Sequence, residues 1–238
     1  MGCRPPEKPS TPETRTAITN AQASLHQEKP APEAAAGEAT QADGTTRLQE
    51  HASKALEDGD FALAVRHLES LVALKPEDEE SFFNLGYAQS RIQQTNEAIR
   101  SYERCLKLLP EYAEAHNNLG NLLMAQRRFD EASLHFRTAI IHQPENAAAH
   151  NNLGKAMALQ SKLKDALPFF REAIRLDPKH WDARHNLAVT YLNFGMLEES
   201  RAELKSLVEE NPDMVIARKT LSRVDSLLPK QTSPAQPR

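Results

Sequence analysis

Glycine is scarce: the chain has 238 residues and only 8 glycines, too few for an all-β fold built on tight turns. Aromatic residues make up 5% and hydrophobic residues 39%, so any core is modest and mostly aliphatic. Cys3 and Cys105 are the only cysteines, one in a polar stretch and one in a helical pattern. Two such sites exclude a disulfide framework or a zinc-binding set. No apolar run approaches the ~20 residues that span a bilayer as a helix. The net charge of −4 offers no general basic field for a phosphate backbone, so no nucleic-acid partner is expected. A glycine-rich phosphate loop, a nucleophile elbow and a metal-ligand cluster are missing too, so neither an enzyme nor a cofactor is expected.

What is present falls into three zones. Residues 1–44 are rich in Pro, Ala, Thr, Glu and Gln and nearly devoid of large apolar side chains. They cannot bury enough surface to offset the entropy of ordering, and are read as a disordered tail or tether. Residues 229–238, "PKQTSPAQPR", have the same character. The folded part is residues 45–228.

That part repeats itself. Pro76, Pro110, Pro144, Pro178 and Pro212 are spaced 34 residues apart without a slip. On the same count a small residue recurs at Ala52, Gly86, Gly120, Gly154, Ala188 and Ser222, five times preceded by leucine. A second small residue recurs at Ala64, Ala98, Ala132, Ala166 and Ser200. A bulky one follows it at Leu68, Tyr102, Phe136, Phe170 and Leu204. A fixed period of this length signals stacked structural units. Within the third unit, His116, Leu119, Leu123 and Gln126 share one face of a first helix. Phe129, Ala132, Phe136, Ala139 and Ile140 line one face of a second. The short "QRRFD" between them makes the pair antiparallel. Small residues are expected where the axes cross, with Gly120 facing Ala132 and Gly154 facing Ala166. Proline then closes each unit.

With Leu-Gly in the first helix, Ala and an aromatic in the second, and a closing Pro, the chain resembles the tetratricopeptide repeat family. The resemblance implies an all-α, right-handed superhelical solenoid. It assigns repeats to 45–78, 79–112, 113–146, 147–180 and 181–214, followed by a capping helix at 215–228. In that helix Ala217, Leu221, Val224 and Leu228 form an apolar stripe, with Arg218, Lys219, Arg223 and Asp225 facing away. Pro168 is out of pattern, near the start of a second helix.

In this family the first helices line a concave groove. By that resemblance Asn84, Asn118, Asn152 and Asn186 stand in register along it, each preceded by Phe83, Asn117, Asn151 or His185. One turn onward come Tyr87, Asn121 and Lys155. An amide offers both a donor and an acceptor, which suits the main chain of an extended peptide. The same asparagines can equally bridge neighbouring units, and the sequence leaves both roles open. The carboxylate clamp of relatives that grip acidic chaperone tails looks absent. Gln49 and Ser53 occupy comparable positions in the first unit, and Asp182 is acidic where a cation would be wanted.

His116 and His150 invite a metal reading, but stacked helices lie ~8–10 Å apart, wide for two imidazoles to share one ion, and packing between units is the expected role. Trp181 either packs on the preceding helix or serves as an interface anchor. "MGC" at the amino end is similar to the end of a bacterial lipoprotein signal, in which the cysteine, here Cys3, receives the lipid. The basic and apolar parts of such a signal are missing, which favours a cytoplasmic protein over a lipid-anchored envelope protein; a membrane partner depends on Cys3 being lipidated.

The resemblance thus implies a non-enzymatic scaffold that binds a partner protein or extended peptide. Two alternatives are a lipid-anchored assembly factor for pili or secretion machines, and a recognition arm similar to that of the O-linked N-acetylglucosamine transferases.

Overall fold

A computed structural model describes the backbone of residues 33–228 and the side chains of residues 44–228. The architecture that follows is that of the compact unit that begins at Gln41. Among the described residues every regular element is an α-helix. Helix α1 (Glu33–Glu57) begins ahead of residue 45, where the repeat register opens. Its first residues, "EAAAGEA", are mostly strong helix formers, so helix extends into a stretch expected to be a disordered tail.

Paired helices follow: α2 (Phe61–Leu74) completes the first unit, then α3 (Glu79–Arg91) with α4 (Thr95–Leu108), and α5 (Ala113–Ala125) with α6 (Phe129–His142). Next come α7 (Ala147–Leu159) with α8 (Leu163–Leu176), α9 (Trp181–Asn193) with α10 (Leu197–Glu210), and a last helix, α11 (Val215–Leu227). Residues of α1 and α2 share one core cluster, each helix from α3 onward packs on the one before it, and successive first helices also touch, α3 on α5, α5 on α7, α7 on α9 and α9 on α11. The result is a solenoid of stacked helical hairpins.

Local chemistry sets the helix ends. Asp60, Asp78 and Asn146 cap α2, α3 and α7 by accepting a hydrogen bond from a backbone N–H of the first turn. Every turn inside a unit is reversed by one residue with positive φ: Gly59 (74°), Gln93 (63°), Arg127 (62°), Ser161 (62°) and Gly195 (73°). The next N–H in four of these turns reaches back five residues, as from Arg128 to Leu123 and from Lys162 to Met157, which satisfies carbonyls left open at the helix end. Gly59 and Gly195 take this conformation without steric cost, whereas the three central turns force it on residues with a Cβ.

The core follows the repeat. Ala64, Ala98, Ala132 and Ala166 are buried, as are Leu68, Tyr102, Phe136, Phe170 and Leu204. The expected partner of the helical glycines needs correction. Gly120 lies against the Phe136 ring, where a Cβ would sit 2.6 Å from Cε1, and Gly154 lies likewise against Phe170, at 2.7 Å. The aromatic ring, not the small residue of the second helix, requires the glycine. Units with Leu68 or Leu204 at the bulky position tolerate Ala52 and Ala188 instead. Gln126 also departs from expectation: it is the exposed C-cap of α5 and hydrogen-bonds Asn96 at 3.0 Å.

Pro168 sits inside a continuous α8 and is exposed, so the hydrogen bond it cannot make falls on the solvent side. On α11, Ala217 and Val224 are buried, Leu221 and Leu228 are half-buried, and Arg218, Lys219, Arg223 and Asp225 are exposed. This helix covers the fifth unit. Trp181 is half-buried against the same cluster, with the Arg184 guanidinium 5.6 Å from its ring centroid. No helix among the described residues is long and apolar enough to cross a membrane.

Candidate functional site

The asparagines of the first helices are brought together, and much of their bonding is with one another. Asn186 Nδ2 donates to Asn151 Oδ1 at 2.9 Å, Asn151 Nδ2 donates to Asn152 Oδ1 at 3.4 Å, and Asn152 Nδ2 donates to Asn117 Oδ1 at 3.0 Å. The three bonds run head to tail across the junctions between the third, fourth and fifth units. Asn151 is 6% exposed and is the buried link. The same register pair continues into the last helix, where His185 Nε2 lies 3.1 Å from Thr220 Oγ1. Thr220 already donates to the Ile216 carbonyl, so His185 must be the donor.

One junction earlier the partner position holds Phe83, which has no amide. Its ring stacks on Tyr112 with centroids 4.8 Å apart and meets Tyr102 edge-on. Asn118 turns instead toward the Tyr102 hydroxyl, which Ser90 also reaches; burial pushes that phenol well above its ordinary pKa. Tyr87 accepts a hydrogen bond from Arg91 Nη1 at 2.9 Å and packs edge-on against Phe61. Asn84 and Asn121 have no hydrogen-bond partner for their side chains among the described residues. Asn121 and Lys155 are exposed, and the remaining expected site residues are half-buried apart from Asn151.

Cavities recur along this face with the repeat. Gln49, Ser53, Leu56 and Asn84 line a small one of about 30 Å³. Tyr87, Ser90, Asn118 and Asn121 line the next, of about 170 Å³. Asn121, Met124, Asn152 and Lys155 line a third of about 500 Å³, joined by Phe129 and Leu159. Ser53, Tyr87 and Asn121 share one register position, as do Leu56, Ser90 and Met124, and each incoming unit supplies an asparagine. The sequence reading missed Met124, Phe129, Arg127 and Leu159. A signal for one of them was available: Leu159 stands where Arg91 and Asn193 stand in other units, and it is 52% exposed.

The histidines do something other than share a metal. His116 Nε2 lies 2.9 Å from the Pro110 carbonyl, and its Nδ1 lies 2.9 Å from Nδ1 of His135. A carbonyl only accepts, so neutral His116 carries its proton on Nε2 and receives one from His135. Burial holds both imidazoles below their usual pKa. His150 makes the equivalent bond to Pro144, but Phe169 stands where His135 would be, and His150 Nδ1 is left buried and unpartnered. Among the described residues no group of three His, Cys, Asp or Glu is placed to hold a metal ion. Glu97 and Glu131 form solvent-screened exposed pairs with Arg100 and Arg128. Cys3 lies outside the described residues.

Comparison with known proteins agrees with this architecture. Three tetratricopeptide repeat family models match, over residues 91–126, 118–180 and 157–228. The chain belongs to the tetratricopeptide repeat proteins. No curated protein matches its sequence. Among solved structures it is similar to MamA, with 23% identity, 72% of this chain and 93% of that one covered, and a TM-score of 0.66. It is similar to YrrB, described as a tetratricopeptide repeat protein with an unusual peptide-binding site, at 22% identity, 67% and 82% coverage and a TM-score of 0.59. A tetratricopeptide repeat protein from Parabacteroides merdae aligns at 21% identity, 78% and 73% coverage and a TM-score of 0.69. At these identities the likeness is one of fold.

Proposed function

We propose that the chain is a non-enzymatic scaffold that binds an extended peptide segment of a partner protein along the face formed by its first helices. The observation that carries this reading is the series of register-equivalent cavities, each flanked by an asparagine from the incoming unit. Half of the asparagine ladder is committed to joining units, so recognition falls to what it leaves over. The unpartnered amides of Asn84 and Asn121, the edges of Tyr87 and Phe83, and Lys155 are the groups left over. Asn118, Asn152, Asn186, Asn117, Asn151 and His185 hold the wall in place and offer their remaining lone pairs and protons. Each bond to a peptide main chain contributes only ~0.5–1.5 kcal/mol, so binding depends on several together. The peptide-binding site named for YrrB supports this by similarity of fold.

Panning a phage library of random dodecapeptides against the full chain tests it. Clones enriched on the wild-type protein are expected to lose binding to the Asn84→Ala/Asn121→Ala double variant, whose circular dichroism stays the same. Clones that bind both proteins equally, or a library that yields none, would refute the groove.

A further inference from the structure

The largest cavity of this face differs in chemistry from its two register-equivalents. Its lining combines the apolar side chains of Met124, Phe129 and Leu159 with two cations, Arg127 and Lys155. No acidic residue lines it. Neither Arg127 nor Lys155 has an ion-pair partner among the described residues. Arg127 is fixed at the cavity mouth by the turn it sits in, through its positive φ and the bond from its N–H to the Met124 carbonyl at 3.0 Å. Lys155 projects from α7, one turn beyond Asn152, whose amide is anchored to Asn117.

From this we infer that the cavity between the third and fourth units is the selectivity pocket of the groove. It takes one apolar side chain, of leucine or methionine size, from a segment whose flanking residues are acidic. The volume of about 500 Å³ holds such a side chain with room for the carboxylates beside it. An apolar wall alone would not discriminate among hydrophobic segments, while two cations with no internal acid reject basic ones. The inference rests on the groove reading and adds the chemistry of its occupant.

The repeat also sets a spacing. Stacked helices lie ~8–10 Å apart. A polyproline II strand has three residues per turn and rises ~3.1 Å per residue, so side chains three apart face the same way at about 9 Å. Such a strand makes no internal hydrogen bonds, which leaves its main chain to the amides of the wall. The residue three positions from the apolar anchor therefore meets the smaller, more polar cavity of Tyr87, Ser90 and Asn118.

The test uses a fluorescein-labelled peptide, Pro-Ser-Pro-Glu-Leu-Asp-Pro-Ser-Pro, and fluorescence anisotropy with the full chain. Replacing its Leu by Ser, or its Glu and Asp by Gln and Asn, is expected to weaken binding about tenfold each. The Lys155→Glu/Arg127→Glu variant is expected to weaken it by a similar factor and to prefer the same peptide with Lys on both sides of Leu. Both positions are exposed, so unchanged melting of the variant verifies that the fold is kept. Equal binding of the Ser peptide would mean charge attraction alone, and an unaffected charge-reversed variant would place the peptide elsewhere; either overturns the pocket. If this peptide fails while the library yields others, the pocket falls and the groove stands. If neither binds, both fall.

Discussion

A Cβ on Gly120 would stand 2.6 Å from Cε1 of Phe136, closer than packed carbons approach. Glycine in a helix interior costs ~1 kcal/mol relative to alanine, so Gly120→Ala would be stabilising if the ring were absent. With the ring present, overpacking of ~1–3 kcal/mol dominates, and thermal melting is expected to show a net loss. Adding Phe136→Leu recreates the Ala188–Leu204 pairing of the fifth unit. That double variant is expected to melt higher than Gly120→Ala alone; a lower value would sink the pairing rule.

The central turns carry strain that the terminal ones avoid. Ser161 is held at a φ of 62° where Gly59 and Gly195 occupy the same place in their units. Ser161→Gly is expected to stabilise the chain by about 1 kcal/mol, less the backbone freedom glycine adds to the unfolded state. Urea unfolding at constant m-value reads the change.

The amide chain separates wall from binding surface. Asn151→Ala removes the buried link and leaves the Asn186 amide without its acceptor, an expected loss of ~1–3 kcal/mol in stability. Asn121→Ala, exposed and unpartnered among the described residues, is expected to leave melting unchanged within ~0.5 kcal/mol while weakening peptide capture. Paired melting and binding measurements on the two variants distinguish the roles. Equal behaviour would contradict them.

Acid should loosen the third unit. His116 and His135 have folded pKa values lowered by burial, so the neutral forms favour the fold. Their contribution is fully present above the unfolded value of ~6.5 and is lost as pH falls below it, because the unfolded chain then binds more protons. The melting temperature is expected to fall between pH 7.5 and 5, and to fall less in His135→Phe, which copies the Phe169 arrangement of the next unit. A pH slope identical in both would remove the pair from the account.

The burial of Cys105 pushes its thiol up to about 12. In a Cys3→Ser variant, a thiol reagent at pH 8 is expected to label Cys105 only on unfolding. Rapid labelling of the native protein would show that α4 opens readily.

Much of this architecture was legible in the sequence because repetition multiplies a weak signal. One Leu-Gly or one proline means little, but the same residues at a fixed interval through five units define hairpins and their stacking. The site was less legible. The column of Asn84, Asn118, Asn152 and Asn186 is visible as a pattern, yet its division into bridging and free amides depends on the neighbouring column. There Asn117 and Asn151 provide acceptors and Phe83 provides none. The aromatic demand for Gly120 and Gly154 was misassigned for a related reason: the facing residue lies one turn farther along the second helix than a simple crossing suggests. The large cavity draws on a turn residue, Arg127, and on Leu159 at a helix end, positions outside any helical stripe.

The most direct test of peptide recognition is two-dimensional NMR of the ¹⁵N-labelled chain titrated with a library-selected peptide. Signals of Asn84, Asn121, Lys155 and Leu159 are expected to move together with one saturation curve. Those of Leu134 and Ile141 on α6, 64% and 72% exposed but away from the first helices, are expected to stay fixed. Shifts centred on Leu134 and Ile141, with Asn121 and Lys155 unmoved, would contradict the account.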